Sequence, residues 1–237
     1  MFNLLTCQWR KLAMANYAVD PSILKKYLPP KTELDLFNDL CYVSLVGFMF
    51  LDTKMLRVKI LFHVNFEEVN LRFYVKYKDE NNVWKRGVVF IKEIVPKPAL
   101  AYVAKFLYKE NYEAMPMKHQ WALYGKSLSV EYAWRQEKKW NTLLVNAGST
   151  AASILPGSEE EFIFEHYWGY TKVNDQKTFE YRVEHPAWEV YPVNDFKIDV
   201  DFGKLYGHEF AYLAGEKPVS VFLAEGSNVI VNSKRTI

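Results

Sequence analysis

One ten-residue segment, FEEVNLRFYV (66–75), constrains the fold of this chain more than any other. Its side chains alternate in character, so a β-strand here would carry Glu68, Asn70 and Arg72 on one face and apolar side chains on the other. Periodicity alone allows either an antiparallel strand with one solvated face or a strand that lines a cavity within a curled sheet. In a cavity, the carboxylate and the guanidinium could satisfy each other and orient a carboxyl or carbonyl group of a ligand.

Three helices are predicted from capping and proline signals. Asp20 can cap a helix that begins at Pro21 and ends before Pro29. A second helix covers 97–108, and a short third helix follows Ser158, which has capping-box spacing to a glutamate three residues on. The predicted apolar face of the second helix consists of Leu100, Val103, Ala104 and Leu107.

The remaining patterned segments are strand-like. The run 33–50 predicts a hairpin with its turn at Asn38-Asp39. Further strands are predicted over 9–17, 61–76, 87–95, 127–135, 179–185 and 219–231. No repeat or linker divides the chain, and strands and helices do not alternate regularly. We therefore predict one α+β domain over residues 1–237 with a mixed or antiparallel sheet.

Composition and motifs weigh against several classes of function. Thirty basic and 28 acidic residues give a net charge of +2 without a long run of either sign, so we expect no nucleic-acid partner. No apolar run approaches the ~20 residues that span a bilayer, and the N-terminus lacks a signal-peptide pattern, so we expect a cytoplasmic protein without membrane association. Cys7, Cys41 and the five histidines show no metal-ligand spacing, and no nucleotide-binding glycine motif is present. We expect no metal and no cofactor, while assembly into a homo-oligomer stays open.

Seven segments, taken in their order along the chain, carry a family resemblance. They are WRKLAMANYAVDPSILKKYLPPKTELD (9–35), CYVSLVGFMF (41–50), FEEVNLRFYV (66–75), RGVVFIKEIV (86–95), AKFLYKENYEAMPM (104–117), FEHYWGY (164–170) and VEHPAWEVYPV (183–193). Together they resemble the YqjF-like family of uncharacterised proteins (domain of unknown function 2071) in the acetoacetate decarboxylase-like superfamily. The resemblance implies a cone-shaped, mostly antiparallel β-barrel with an internal cavity and a few flanking helices.

The resemblance also implies roles for individual residues. In the decarboxylases, a lysine forms a Schiff base with the keto acid, and an arginine from the N-terminal segment and a glutamate from the barrel assist it. Arg10 matches the arginine and Glu68 the glutamate, but Tyr112 stands at or next to the position of the lysine. A phenol cannot form an imine, so Schiff-base decarboxylation is not expected. Lys109 and Lys118 flank the position as possible substitutes.

Two functional hypotheses follow from these residues. The first is a protein that binds a small organic ligand, bearing a carboxylate or carbonyl group, in the barrel cavity. The second is a non-imine enzyme (a lyase, isomerase or hydrolase acting on a keto or aromatic acid) with Glu68 as acid or base, Tyr112 as proton donor and Arg10 stabilising negative charge. A third alternative is that the polar cluster binds no ligand and only stabilises the barrel. The candidate catalytic residues are Glu68, Arg10 and Tyr112, and the candidate ligand-binding residues are Asn70, Arg72 and Tyr108.

Overall fold

A computed structural model describes residues 1–237, except for the side chains of residues 103, 104 and 107. In this described part, the chain forms seventeen strands, three α-helices and two 3-10 helices. The strands are β1 (Asn3–Ala18), β2 (Thr32–Leu34), β3 (Tyr42–Met55), β4 (Val58–Lys59), β5 (Phe66–Lys78), β6 (Trp84–Val95), β7 (Tyr112–Ala114), β8 (Met117–Tyr124), β9 (Ser127–Gln136), β10 (Lys139–Gly148), β11 (Ala152–Ser153), β12 (Trp168–Asn174), β13 (Lys177–Glu184), β14 (Glu189–Tyr191), β15 (Val193–Asp199), β16 (Ser220–Asn232) and β17 (Arg235–Thr236). The α-helices are α1 (Pro98–Tyr108), α2 (Glu159–Phe164) and α3 (Phe202–Tyr206), and the 3-10 helices are Pro21–Leu24 and His208–Ala214.

The strands form two sheets. The larger sheet has thirteen strands in the order β11-β14-β16-β1-β3-β5-β6-β12-β13-β17, with β2, β4 and β7 paired at its sides. The smaller sheet has the order β15-β10-β9-β8. In the larger sheet β13 also pairs with β16, so the row of paired strands that runs from β16 to β13 is joined at its two ends. The predicted class, mostly antiparallel sheet with few helices, is confirmed, and a true cone-shaped barrel stays a prediction.

Both faces of β5 are buried, and each packs against different partners. The apolar face, with Val69, Leu71 and Phe73, belongs to a core cluster that also contains Val130 and Val145 of the smaller sheet. The opposite face points into the interior of the larger sheet, where a second apolar cluster lies. A strand that is buried on both sides has no solvated face, so its polar residues line the interior.

A bulge in β1 changes which of its side chains face that interior. The register against β3 shifts between Arg10 and Ala13, and Lys11 has a φ of 53°. Trp9 and Leu12 both face the interior, although they are three residues apart. The extra residue therefore leaves Arg10 and Lys11 outside.

A second bulge has the same effect in β6. The register against β5 shifts at Ile91, which is the extra residue. Phe90 and Glu93 both line the interior, and Lys92 instead forms an ion pair with Glu113 at 2.8 Å. Simple alternation from Phe90 would have placed Lys92 inside.

The predicted hairpin over 33–50 is wrong in its pairing. Asn38 and Asp39 do form a turn, with φ of 49° and 62°, and an isolated bridge joins Phe37 to Leu40. The strand before the turn, β2, pairs with β5 instead of β3. The reason is that β1 and β5 already occupy the two edges of β3.

The helix predictions are mostly confirmed. The helix over 97–108 is α1, and Ser158 caps α2 by accepting a hydrogen bond from the Glu161 N–H. The predicted apolar face of α1 includes Val103, Ala104 and Leu107, whose side chains lie outside the described residues. The first helix is a single 3-10 turn, Pro21–Leu24, and the strand predicted over 61–76 begins only with β5. Within the described part of the chain, no helix combines the length and apolar character needed to cross a membrane.

Candidate functional site

A cavity of about 150 Å³ lies on the inner face of the larger sheet, next to α1. Aromatic and aliphatic side chains form most of its wall. They include Leu5, Trp9, Leu12, Phe48, Phe50, Phe66, Phe90 and Leu100. The polar side chains of the wall are Glu68, Asn70, Arg72, Glu93, Tyr108, Glu110, Tyr112, His166 and Tyr181. A mostly apolar wall with a few placed polar groups is typical of a small-molecule site.

The wall contains five of the six predicted site residues, and Arg10 is the exception. The Arg10 Nε and Nη2 donate to Gln8 Oε1 at 3.0 and 2.9 Å, and Nη1 lies 3.6 Å from Glu225 Oε1. The expectation that Arg10 shares the pocket with Glu68 is therefore corrected. Without the bulge at Lys11, Arg10 would face the same way as Leu12 and point inward.

Glu68 lies at the centre of the predicted polar set. Its side chain is 3% exposed, Asn70 Nδ2 donates to its Oε1 at 3.0 Å, and the Tyr112 hydroxyl donates to its Oε2 at 3.4 Å. Burial raises the pKa of Glu68 to about 8, and the hydrogen bond from Asn70 offsets part of the rise. The carboxyl group is therefore mostly protonated at neutral pH and can both donate and accept a proton close to that pH.

Two further buried glutamates were not predicted as site residues. Glu93 is 2% exposed, and its Oε2 has no hydrogen-bond partner in the described structure. Burial, together with the nearby carboxyl groups of Glu110 and Glu68, raises the pKa of Glu93 well above its ordinary value. Glu110 accepts from the Tyr181 hydroxyl at 2.6 Å, and burial raises its pKa to about 7. Three carboxyl groups that share one apolar cavity disfavour ionisation of one another.

The sequence offered only weak signals for these two residues. Glu93 lies directly across from Asn70 in the β5–β6 pairing, but the bulge at Ile91 hides this from a count of alternate positions. Glu110 lies in the same short segment as Tyr112, after α1, and its contact with Tyr181 joins distant parts of the chain.

Arg72 is the arginine of the cavity. Its side chain is buried, with 9% exposed, and it forms no ion pair with any described residue. Its Nη2 makes two long contacts, with the carbonyl oxygen of Ile163 at 3.5 Å and with Met14 Sδ at 3.9 Å, and its Nε has no hydrogen-bond partner among the described residues. The guanidinium lies over the ring of Tyr74, 5.6 Å from the centroid. A buried charge without a partner is costly, so this group is suited to bind an anion or a carbonyl oxygen.

His166 supplies a further polar atom to the wall. Its Nε2 lies 3.2 Å from Asp35 Oδ2, and burial lowers the pKa of His166 to about 4. The neutral ring therefore donates from Nε2 to Asp35, and Nδ1 is an acceptor. This Nδ1 is buried and has no hydrogen-bond partner among the residues that the structure describes.

The lysines suggested as substitutes for the missing nucleophile lie outside the cavity. Lys109 ends α1 with a φ of 63° and is exposed, and Lys118 lies over the ring of Trp140 at 4.9 Å. Among the described residues, the cavity wall contains no lysine. A Schiff base requires a primary amine at the site, so the wall offers none for that chemistry. No group of three or more His, Cys, Asp or Glu side chains in the described chain is arranged to hold a metal ion.

Comparisons with known proteins agree on family and fold. Residues 6–228 match the DUF2071 family, which is described as an uncharacterized conserved protein. The uncharacterized protein YqjF of Bacillus subtilis (strain 168) is 31% identical over 77 residues, which is 32% of this chain and 32% of that relative. The match thus spans about a third of the relative's length.

Two solved structures are similar over the whole chain. The acetoacetate decarboxylase of Legionella pneumophila subsp. pneumophila str. Philadelphia 1 has a TM-score of 0.66 at 12% identity, covering 100% of this chain and 88% of that one. The enduracididine biosynthesis enzyme MppR, complexed with pyruvate, has a TM-score of 0.69 at 9% identity, covering 100% of this chain and 91% of that one. Likeness at these identities shows the fold alone, which is acetoacetate decarboxylase-like.

Proposed function

The chain belongs to the DUF2071 family, and we propose that it binds a small organic ligand, bearing a carboxylate or carbonyl group, in the cavity beside Arg72. The observation that carries the proposal is the buried guanidinium of Arg72, which has no ion pair with any described residue and contributes to the cavity wall. A carboxylate would supply both the negative charge and the acceptor oxygens that this group needs.

The other wall residues suit the same ligand. Asn70, Tyr108 and Tyr112 would surround its polar end, and the aromatic wall would hold its apolar body. The pyruvate complexed with MppR, a protein of the same fold, is a small acid of this class. Enclosure of the site in a cone-shaped barrel is part of the proposal, and the closing pairing between β13 and β16 supports it.

Binding of matched acids and esters tests this proposal. Benzoate, phenylacetate and phenylpyruvate would be titrated against the full chain and followed by Trp fluorescence, because Trp9 lies in the cavity wall. Their methyl esters are the uncharged controls. We expect Arg72→Met to weaken acid binding at least about 30-fold, since truncation of one partner of a buried charge pair costs about 2 kcal/mol or more.

The matched control is Arg182→Met, which removes a guanidinium whose side chain is 53% exposed. It should leave acid binding unchanged. Equal affinity of the acids for the wild type and for Arg72→Met would contradict the proposal. Equal affinity for acids and esters would show that Arg72 binds a carbonyl oxygen and does not require a carboxylate.

A second candidate function, acid–base catalysis on a keto or aromatic acid, is favoured by one specific contact. Glu68 has a pKa of about 8 and lies 3.4 Å from the Tyr112 hydroxyl, so a proton donor and an acceptor meet at the cavity. The test is exchange of the α-protons of keto acids with deuterated water, followed by NMR. We expect Glu68→Gln to abolish enzyme-dependent exchange and Tyr112→Phe to slow it. Exchange that is equally fast with Glu68→Gln would exclude this role.

A further inference from the structure

The cavity wall carries hydrogen-bond acceptors that a carboxylate cannot satisfy. Three buried atoms of the cavity wall that can accept a hydrogen bond have no partner among the described residues: Asn70 Oδ1, Glu93 Oε2 and His166 Nδ1. All three residues line the cavity. A carboxylate only accepts hydrogen bonds, and so do the Asn70 amide oxygen and the unprotonated Nδ1 of His166, so a ligand that satisfies these two atoms must also carry donors.

Two of these acceptors lie side by side. Asn70 and Glu93 are direct cross-strand partners in β5 and β6, so their Cβ atoms are about 5 Å apart on the same face of the sheet. Glu93 also pairs in register with Tyr112 of β7, which contacts Glu68. One end of the cavity therefore combines two carboxyl groups with an amide oxygen.

The balance of acidic and basic side chains in the wall favours a hydrogen-bond donor that is positively charged. The wall contains three carboxyl groups, from Glu68, Glu93 and Glu110, but Arg72 is the one lysine or arginine side chain among its described residues. An ammonium group would supply positive charge and three N–H donors together. A hydroxyl or a neutral amide would supply donors without the charge.

We propose that the ligand is a zwitterion of the amino-acid class, whose carboxylate pairs with Arg72 and whose ammonium group binds Glu93 and Asn70. The inference rests on the proposed function and adds the amine to the ligand. Arg72 stands two residues from Asn70 on the same face of β5, a spacing of about 7 Å along the strand. Both groups line one small cavity, so the amine and the carboxylate lie close together on one small molecule, as they do in an α- or β-amino acid.

The size and lining of the cavity specify the rest of the ligand. A cavity of about 150 Å³ is far above the roughly 10–15 Å³ that admits a single water, so it has room for a small organic molecule. Trp9, Phe48, Phe50 and Phe66 form an apolar part of the wall, and the rings of Phe50 and Phe66 are stacked at 4.6 Å. The side chain of the amino acid is therefore apolar or aromatic.

Binding of the amine is coupled to loss of a proton. The groups that face Glu93 are Glu68 and Arg72 from β5, Tyr112 from β7, Glu110 after α1, and Tyr181 from β13. Burial and the two neighbouring glutamates raise the pKa of Glu93 well above its ordinary value, which favours the protonated carboxyl in the protein without ligand. An ammonium group beside it favours the ionised form, so binding of the amino acid should release up to one proton from this carboxyl.

Isothermal titration of the full chain with three molecules of one skeleton tests the inference. The probes are L-phenylalanine, 3-phenylpropanoate, which lacks the amine, and 2-phenylethylamine, which lacks the carboxylate. Each is titrated at pH 7 in phosphate and in Tris, whose different ionisation enthalpies report the protons released. We expect phenylalanine to bind at least 10-fold more tightly than either fragment and to release up to one proton, while phenylpropanoate releases none.

Glu93→Gln is the informative variant, because it replaces an ionisable carboxyl with a neutral group of the same shape. It should lose the proton release and the preference for the amino acid, and it should still bind phenylpropanoate as the wild type does. The matched control is Glu113→Gln, which removes a half-exposed carboxyl that contacts Lys92 outside the cavity. That control should keep both properties, and urea unfolding of each variant verifies that it is folded.

The outcomes separate this inference from the proposed function. If phenylpropanoate binds as tightly as phenylalanine in an Arg72-dependent manner, the amine is not recognised and only the zwitterion is refuted. Retention of the preference in Glu93→Gln would refute it as well. If neither the acid nor the amino acid binds the wild type, or if Arg72→Met changes neither affinity, both the inference and the proposed function are wrong.

Discussion

Replacement of Glu68 by glutamine should stabilise the protein, and the gain should grow with pH. In the unfolded chain this carboxyl ionises near its ordinary pKa of 4.5, whereas burial in the folded protein raises the pKa to about 8. The folded state therefore holds a proton that the unfolded state has lost between these two values. The free energy of unfolding of the wild type must fall as the pH rises through this window. A glutamine has no proton to lose, so the variant avoids this loss.

The magnitude follows from the shift. Each pH unit inside the window is worth about 1.4 kcal/mol, so the variant should gain on the order of 3 kcal/mol relative to wild type between pH 4.5 and pH 7. The gain should level off above pH 8. Glu93 and Glu110 titrate in both proteins, so most of their contribution cancels in the difference. The charge of Glu68 raises the pKa of Glu93, so its removal lowers that pKa and adds to the gain in the same direction.

Urea unfolding at half-unit steps from pH 5 to pH 8.5, followed by Trp fluorescence, measures this difference. The control is Glu216→Gln, which changes an exposed carboxyl and should give a difference that does not vary with pH. A difference between Glu68→Gln and wild type that is also flat, or that shrinks as the pH rises, would refute the claim that burial keeps Glu68 protonated.

Three further predictions concern stability. Arg72→Met should raise the free energy of unfolding of the ligand-free protein by about 1–4 kcal/mol in urea titrations. The reason is that it removes a buried charge that has no ion pair among the described residues. A loss of stability would show that other contacts of the folded protein offset the cost of burying the guanidinium. Gly169→Ala should lower that free energy by about 1–3 kcal/mol, since the added Cβ would lie 2.1 Å from Tyr181 Cζ, and an unchanged urea midpoint would count against this contact. Ser158→Ala removes the hydrogen bond that caps α2 and should cost about 1 kcal/mol, seen as a melting temperature lower by about 2–4 °C. An unaltered melting temperature would mean that the cap contributes nothing.

The sequence was most informative where one strand could be considered alone. Alternation in β5 separated the face that packs on the smaller sheet from the face that carries Glu68, Asn70 and Arg72, and that separation is what the structure has. Periodicity could not decide whether the polar face of β5 was exposed to solvent or enclosed in a cavity. That choice depends on strands far away in the chain, whose pairing the sequence does not state.

Two of the errors, at Arg10 and Glu93, lie next to β-bulges. The family resemblance implied that Arg10 lies inside, but it lies outside, and Glu93 lies inside without having been predicted there. The bulges at Lys11 in β1 and at Ile91 in β6 each shift the alternation of side chains by one residue. A bulge is fixed by the register of neighbouring strands, so a pattern read within one segment cannot reveal it.

The bulge at Ile91 decides which ionisable side chain of β6 the cavity receives. If Ile91 were paired regularly with β5, alternation from Phe90 would turn Lys92 inward in place of Glu93. A lysine in so apolar a chamber would have a lowered pKa and a free amine, which is the condition for imine formation. In this fold, a shift of strand register by one residue, without any substitution, is enough to exchange an acid-lined interior for an amine-bearing one.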